Sequence, residues 1–324
     1  MSSIQDIRFK ENGVCSKDHL TDKGIHQLAQ LGKELRKIYE AQLADGVSVN
    51  TTWTQRTYWS AVALMSGLLD SRDPKCVIHS KPLKKDGLIH VYSSCDLVKE
   101  QNKATIITEE FQSANASLVE VAKNYGLKAS GHPLAAYFAV DNLRCLDCHQ
   151  MPLPNSNSDK SIIYKAMDEI NKAVYFPTSP SDTVHRMRIG AYLKDLKQRL
   201  QQPRNIGKPK FFYTSAHDSS LSSLLSSLNF TNTGTPPYAS NFIIEYWIKK
   251  GVAGLVNEMR FIYNGKYVNP SWCEGNYCTL EKLRSHLDTL GIHLAGNSKC
   301  LKEFNFESEC NLKKDNVPSL KESL

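Results

Sequence analysis

No stretch of this sequence is both apolar enough and long enough to cross a bilayer. The best candidates, around Leu134–Val140 and Phe242–Ile248, fall far short of the roughly 20 apolar residues that a spanning helix needs, and the mean hydropathy is −0.40. The opening residues, MSSIQDIRFKENG, lack the apolar core of a secretory leader. There is no internal repeat, and no block of basic residues interleaved with aromatics. The formal charge of +7 arises from 40 basic and 33 acidic residues scattered along the chain. That balance is compatible with an anionic substrate and weighs against a nucleic-acid binder, whose affinity would fall steeply with salt.

What is present is a chain of 324 residues, 41% hydrophobic and 23% charged, long enough to bury a substantial core as one large domain or a domain with an inserted lobe. Two features point to the secretory route. There are nine cysteines, which cannot all pair within one chain, and three acceptor sequons, at Asn50, Asn115 and Asn229. The cysteine-rich body and the missing leader are in conflict.

A first helix is expected after Thr21, which can cap it with Leu20 as a staple residue. Ile25, Leu28, Leu31, Leu35 and Ile38 then form one apolar stripe. A second helix is expected over residues 60–69, ended by Ser71-Arg72-Asp73-Pro74, with a strand at Lys75–His79. Residues 100–203 read as mainly helical and more polar, broken by a loop at Pro152–Ser158. Lys210–Thr214 reads as a buried strand, followed by a helix carrying Leu221, Leu224, Leu225 and Leu228. Further strands are expected at Asn241–Ile248 and Glu258–Tyr263, and the lysine-rich end reads as a solvated tail. Alternating strands and helices point to an α/β layered sheet.

Two short segments carry chemistry. Ser215-Ala216-His217-Asp218 lies between a strand and a helix, where open α/β sheets bind ligands and helix-start amides favour an anion. There a histidine can donate to an oxyanion and a carboxyl can transfer a proton. Thr54–Ser60 is a polar turn opening a helix, with Arg56 placed to hold a phosphate bidentately. Each has a plainer reading when taken alone: a capping aspartate beside a structural histidine, and a solvated arginine.

Taken together, these residues resemble the histidine acid phosphatases of the prostatic and lysosomal type. Leu20–Gly24 with Gln27, Leu31-Gly32 and Arg36–Tyr39 is similar to that family's L-T-x-x-G-x-x-Q…L-G…R-x-x-Y helix. Arg56-Thr57 with Ser60-Ala61 resembles its D-R-T-x-x-S-A. Ser215–Leu221 resembles S-A-H-D-T-T-L/V, and Pro236–Ser240 repeats P-P-Y-A-S. Cys273 and Cys278–Leu280 resemble a late C…C-P-L pair. The resemblance implies a three-layer α/β/α sheet domain of the phosphoglycerate mutase-like kind, here residues 1–99 and 204–324, with a helical cap at 100–203. It implies hydrolysis of a small phosphomonoester or a phosphoprotein in acid, through a phosphohistidine and without metal or cofactor. Arg56 then matches the phosphate-clamping arginine, His217 the second histidine that bonds the phosphoryl oxygens, and Asp218 the general acid. A secreted or lysosomal address and a homodimer are in keeping with the same relatives.

The cysteines follow partly. The resemblance implies a Cys273–Cys278 bridge and a second between Cys95 and Cys310. Cys145 matches another paired cysteine, but Asn241 stands where its partner belongs. Cys145-Leu146-Asp147-Cys148-His149 shows only half of a zinc site, and a local Cys145–Cys148 bridge or free thiols are the readings for it. Cys15, Cys76 and Cys300 are unassigned.

The family's nucleophile sits in R-H-G-x-R-x-P at the end of its first, central strand, well ahead of the L-T-x-x-G helix. Only nineteen residues precede Leu20 here and none reads R-H-G; Arg8-Phe9-Lys10 is the nearest echo. His19 and His26 do not replace it, and His26 is expected to be a surface or boundary residue of the first helix. A central strand cannot be lost without stranding backbone donors and acceptors on its neighbours. Leader, first strand and R-H-G are therefore expected upstream of Met1. The alternative is a catalytically inactive pseudophosphatase that binds phosphorylated ligands or acts as an interaction protein.

Overall fold

In the computed structural model the chain is described over residues 19–70, 76–80, 102–129, 134–155, 159–176, 182–201, 210–230, 233–251, 254–273 and 278–290. Helix α1 (Asp22–Leu43) starts as its sequence dictates: the Thr21 side chain accepts from Gly24 N, and Ile25, Leu28 and Leu35 are buried. It leads into strand β1 (Val47–Thr51), helix α2 (Gln55–Leu68) and strand β2 (Ile78–Ser80). Helix α2 begins five residues before the apolar periodicity does, because Thr54 takes the extended backbone of an N-cap and the polar first turn is already helical. Helices α1 and α2 cross in backbone contact. Gly32 sits against the Leu64 carbonyl and Gly67 against the Ala29 carbonyl, leaving no room for a Cβ on either.

Helices α3 (Glu109–Asn124), α4 (Ala135–Cys148), α5 (Ser161–Tyr175) and α6 (Asp182–Gln201) follow. The first three enclose an apolar cluster of their own, around Phe111, Leu118, Val140, Leu143, Ile163 and Met167. Strand β3 (Phe211–Ser215) returns to the sheet and turns at once into α7 (Asp218–Ser227). The hairpin of β4 (Phe242–Gly251) and β5 (Gly254–Tyr263), the short strands β6 (Lys266–Val268) and β7 (Cys278–Thr279), and helix α8 (Leu280–Thr289) complete the fold.

The architecture is α/β, with its strands in two sheets. A parallel sheet runs β2-β1-β3, with Val49 opposite both Ile78 and Tyr213. An antiparallel sheet runs β4-β5-β6, with β7 also on β5. Among the described residues β3 and β4 each have one strand partner and do not pair with each other. Helix α1 nevertheless reaches both. The Tyr39 ring packs on Phe211 at 5.9 Å between centroids, and its hydroxyl donates to Glu245 Oε1 at 2.6 Å. From α6, Arg199 lies over the Phe212 ring, 4.8 Å from its centroid, and Ile189 and Leu193 share a cluster with Phe242, Ile244 and Phe261. No described helix is long and apolar enough to cross a membrane.

Candidate active site

The site is built where β1 and β3 end side by side. Thr51 stands opposite Ser215, and Thr52 N donates to Ser215 O at 3.2 Å. The buried Ser215 hydroxyl in turn donates to Thr57 O at 2.8 Å, fastening the end of β3 to the first turn of α2. Beyond Ser215, His217 is the extended N-cap of α7 (φ −114°, ψ 162°) and Asp218 is its first residue. Across from it, Arg56 occupies the first turn of α2. Two parallel strands thus deliver two helix N-termini to one crevice, where the amide dipoles favour negative charge. Neither N-cap side chain accepts from its own helix. Asp218 Oδ1 takes the Ser219 N–H at 2.7 Å.

The sequence-derived residues Arg56, His217 and Asp218 therefore come together. Arg56 Nη2 lies 3.4 Å from His217 Nδ1. The other ring nitrogen, Nε2, lies 3.1 Å from the hydroxyl of Thr52, a fully buried residue. Arg56 and Asp218 are solvent-exposed and His217 is half-buried, so the crevice is open to ligand.

A second wall comes from α4, which presents Tyr137, Asp141 and Arg144 at helical spacing. Burial pushes the Asp141 carboxyl above the usual range. The guanidinium of Arg144 pulls it back, the charge of Asp218 adds to the rise, and Arg56 opposes it. Arg144 is buried. It donates to Asp141 Oδ1 at 3.4 Å and to Pro236 O at 3.3 Å, and stands 5.5 Å above the Tyr238 ring. Burial raises the Tyr137 and Tyr238 phenols; among the nearby charges Asp218 leads for Tyr137 and Asp141 for Tyr238. None of Thr52, Tyr137, Asp141 and Arg144 stands out in the sequence. The one available signal is the i, i+4, i+7 polar face of α4, which by itself says nothing about what it faces.

The remaining sequence-derived positions fall elsewhere. Cys273 and Cys278 form a disulfide, whereas Cys76, Cys145 and Cys148 are free thiols. Cys15, Cys95, Cys300 and Cys310 lie outside the described residues. His149, which closes the half zinc motif, meets Thr21 Oγ1 at 3.3 Å instead, and no group of three His, Cys, Asp or Glu is assembled among the described residues. His26 is exposed on α1, with Nδ1 2.8 Å from Asp22 O. Asn50 is inside β1 and registers with both His79 and Thr214. Asn115 lies on α3. Asn229 is exposed at the end of α7 with φ 60°, its amide donating to Ser271.

The model of the histidine phosphatase superfamily (branch 2) matches residues 2–264. The chain belongs to this superfamily. Testicular acid phosphatase of Mus musculus is 27% identical over 250 residues, covering 70% of this chain and 58% of that protein. Prostatic acid phosphatase of Homo sapiens is 25% identical over 255 residues, covering 72% and 66%. The chain thus spans about three fifths of the length of these relatives. Among solved structures, the phytase of Klebsiella sp ASR1 superposes with a TM-score of 0.64 at 14% identity, covering 86% of each chain. That likeness confirms the α/β histidine phosphatase fold.

Proposed function

We propose that this histidine phosphatase binds phosphate monoesters between Arg56 and His217. Cleavage then follows, through a phosphohistidine, when a strand carrying the nucleophile completes the sheet. One observation carries the reading: a guanidinium and an imidazole 3.4 Å apart at the mouths of two helix N-termini, with a carboxyl next in sequence. A transferring phosphoryl group is stabilised chiefly by positioning and by positive charge around its oxygens. Arg56 would clamp two of those oxygens, His217 would donate to a third, and the exposed Asp218 would protonate the leaving alkoxide. Among the described residues β3 and β4 each have only one strand partner, and both lie beneath α1, which supports the reading that one more strand pairs there. The helices between β2 and β3 would act as a cap, with α4 forming one wall. Secretory or lysosomal delivery belongs to the same proposal. It is supported by the Cys273–Cys278 bridge and by Asn229, the exposed sequon.

A second reading, phosphate binding without turnover, is favoured by one fact. His26, the histidine next to the L-T-x-x-G helix start, is exposed and bonds the backbone of its own helix at Asp22 O. Titration of the 324-residue chain with inorganic phosphate in a calorimeter tests the shared part of both readings. Arg56→Ala should weaken binding about 10- to 100-fold, the loss expected of charge-assisted hydrogen bonds. Unchanged affinity in both Arg56→Ala and His217→Ala would sink the assignment. Turnover of an aryl phosphate then separates the readings: binding with no turnover by this chain, and turnover once R-H-G-x-R precedes it in frame, supports the hydrolase.

A further inference from the structure

Helix α4 is fastened on both sides of the crevice. At its end, Cys148 O accepts from the Lys23 ammonium and His149 Nε2 meets Thr21 Oγ1 at 3.3 Å, both at the start of α1. Leu20 N, just ahead, donates at 3.1 Å to Oε1 of Gln55, the residue before Arg56. On the other side, Arg144 Nη2 donates to Pro236 O at 3.3 Å, and its guanidinium lies over the Tyr238 ring. The face carrying Tyr137, Asp141 and Arg144 is thereby held within electrostatic reach of Arg56 and Asp218. The charges on that face are not equally accessible. Arg144 and Asp141 form one ion pair, Nη1 to Oδ1 at 3.4 Å, but the arginine side chain is 6% exposed and the aspartate side chain 40%. The positive member is committed inside the protein, to Asp141, to a carbonyl and to an aromatic ring. The carboxylate is the member that meets solvent. A phosphate clamped by Arg56 therefore has two carboxyl groups beside it, Asp141 and the exposed Asp218. The rest of that wall is aromatic. Tyr137 packs edge-on against the exposed Phe138, with 5.6 Å between centroids, and Tyr238 is exposed as well.

We propose that Asp141 is a specificity-determining residue. Through it the crevice selects phosphate monoesters whose alcohol half is uncharged next to the reacting phosphate, and rejects those carrying a second phosphate or a carboxylate there. The inference rests on the phosphate-site reading and adds the class of substrate to it. Its ground is Coulombic. A second phosphate joined to the first would come within a few ångströms of the wall, and like charges that close in a partly buried site are screened by salt only weakly. Arg56 would attract the second phosphate too, but its fork is already filled by the first. The aromatic surface offers apolar contact to an uncharged alcohol and no hydrogen bond in place of the water that an anion would give up.

Calorimetry on the whole 324-residue chain tests this. It is run at about pH 7, above the ordinary carboxyl range, with inorganic phosphate, pyrophosphate and phenyl phosphate as probes. The first reports the clamp alone, the second puts an anion where the alcohol belongs, and the third puts an uncharged ring there. Wild type should bind phenyl phosphate at least as tightly as phosphate. It should bind pyrophosphate no more tightly than phosphate, although pyrophosphate carries the greater charge. Asp141→Asn should raise the affinity for pyrophosphate relative to phosphate about tenfold. Asp141→Glu, which keeps the charge, should leave that ratio near the wild-type value. An unchanged ratio in Asp141→Asn overturns the proposal. Should that variant fail to fold, the wild type decides: pyrophosphate bound more tightly than both other probes overturns the proposal, and pyrophosphate bound no more tightly than either supports it. Phosphate that does not bind, or that binds Arg56→Ala equally well, sinks the phosphate-site reading and this inference along with it.

Discussion

Around the crevice, single side chains act through charge more than through volume. Asp141 belongs to a partly buried pair with Arg144 and senses Asp218 and Arg56 as well. Its titration midpoint should lie above the ordinary aspartate value of about 3.9. Followed by carboxyl 13C shifts, the midpoint should fall in Asp218→Asn and rise further in Arg144→Met, because the first removes a like charge and the second an opposite one. The stability consequence has a definite sign. A raised folded pKa means that the native state binds the proton more tightly than the unfolded chain does. Wild type should therefore lose ground to Asp141→Asn as pH rises from about 3.9 through the raised midpoint, and thermal melts across that window would record it. A constant difference would mean that Asp141 is not desolvated as the structure implies.

At the scale of elements, the crossing of α1 and α2 aims Arg56. The two helices touch through Gly32 and Gly67, where a methyl group would meet a backbone carbonyl rather than a yielding side chain. Either Gly→Ala change must push the helices apart even though alanine is the better helix former. We expect roughly 1–3 kcal/mol of destabilisation from such overpacking, read as a fall in the thermal midpoint, with phosphate affinity falling as well because the start of α2 moves. A Gly32→Ala variant as stable as wild type would show that the crossing is looser than described. The same contact shows where the sequence pattern is and is not a guide. The stripe on α1 correctly names Ile25, Leu28 and Leu35 as buried, but Ile38 is 66% exposed. The helix leaves regular geometry at Tyr39 (φ −114°, ψ 17°), and it is the Tyr39 ring that turns in toward β3 and β4. Periodicity assumes a straight helix, and a local kink is invisible to it.

At the scale of the molecule, the α3–α5 helices have an apolar cluster of their own and hold to α7 and the segment after it largely through polar groups. Asn171 is the hub: Ser222 Oγ donates to its Oδ1 at 2.9 Å and its Nδ2 donates to Gly234 O at 3.0 Å. Asp168 Oδ1 accepts from Thr235 N at 2.7 Å nearby. Asn171→Ala leaves a buried hydroxyl and a carbonyl without partners, at a cost of roughly 1–3 kcal/mol. Hydrogen exchange should quicken in α5 and in the residue 233–235 segment more than in β1 or β3. Uniform quickening would instead mean that the helices and the sheet open as one unit.

The sequence by itself determined the family, the strand-turn-helix carrying His217 and Asp218, and the polar helix start carrying Arg56. These are local facts, because a cap, a turn and a periodic stripe are each written within about ten residues. Through the family resemblance it also implied the Cys273–Cys278 bridge that the structure contains. Tertiary structure alone decided which distant groups share the crevice. Thr52 reaches His217 only because β1 and β3 are neighbours in a parallel sheet, and nothing within either segment encodes that pairing. Asp141, Arg144 and Tyr137 face the same site only because α4 packs across it, and Cys145 and Cys148 at the end of that helix are free thiols. The physical reason is the same in each case. Hydrogen bonds and charge pairs act over a few ångströms of space, and separation along the chain says little about separation in the fold until the elements have packed.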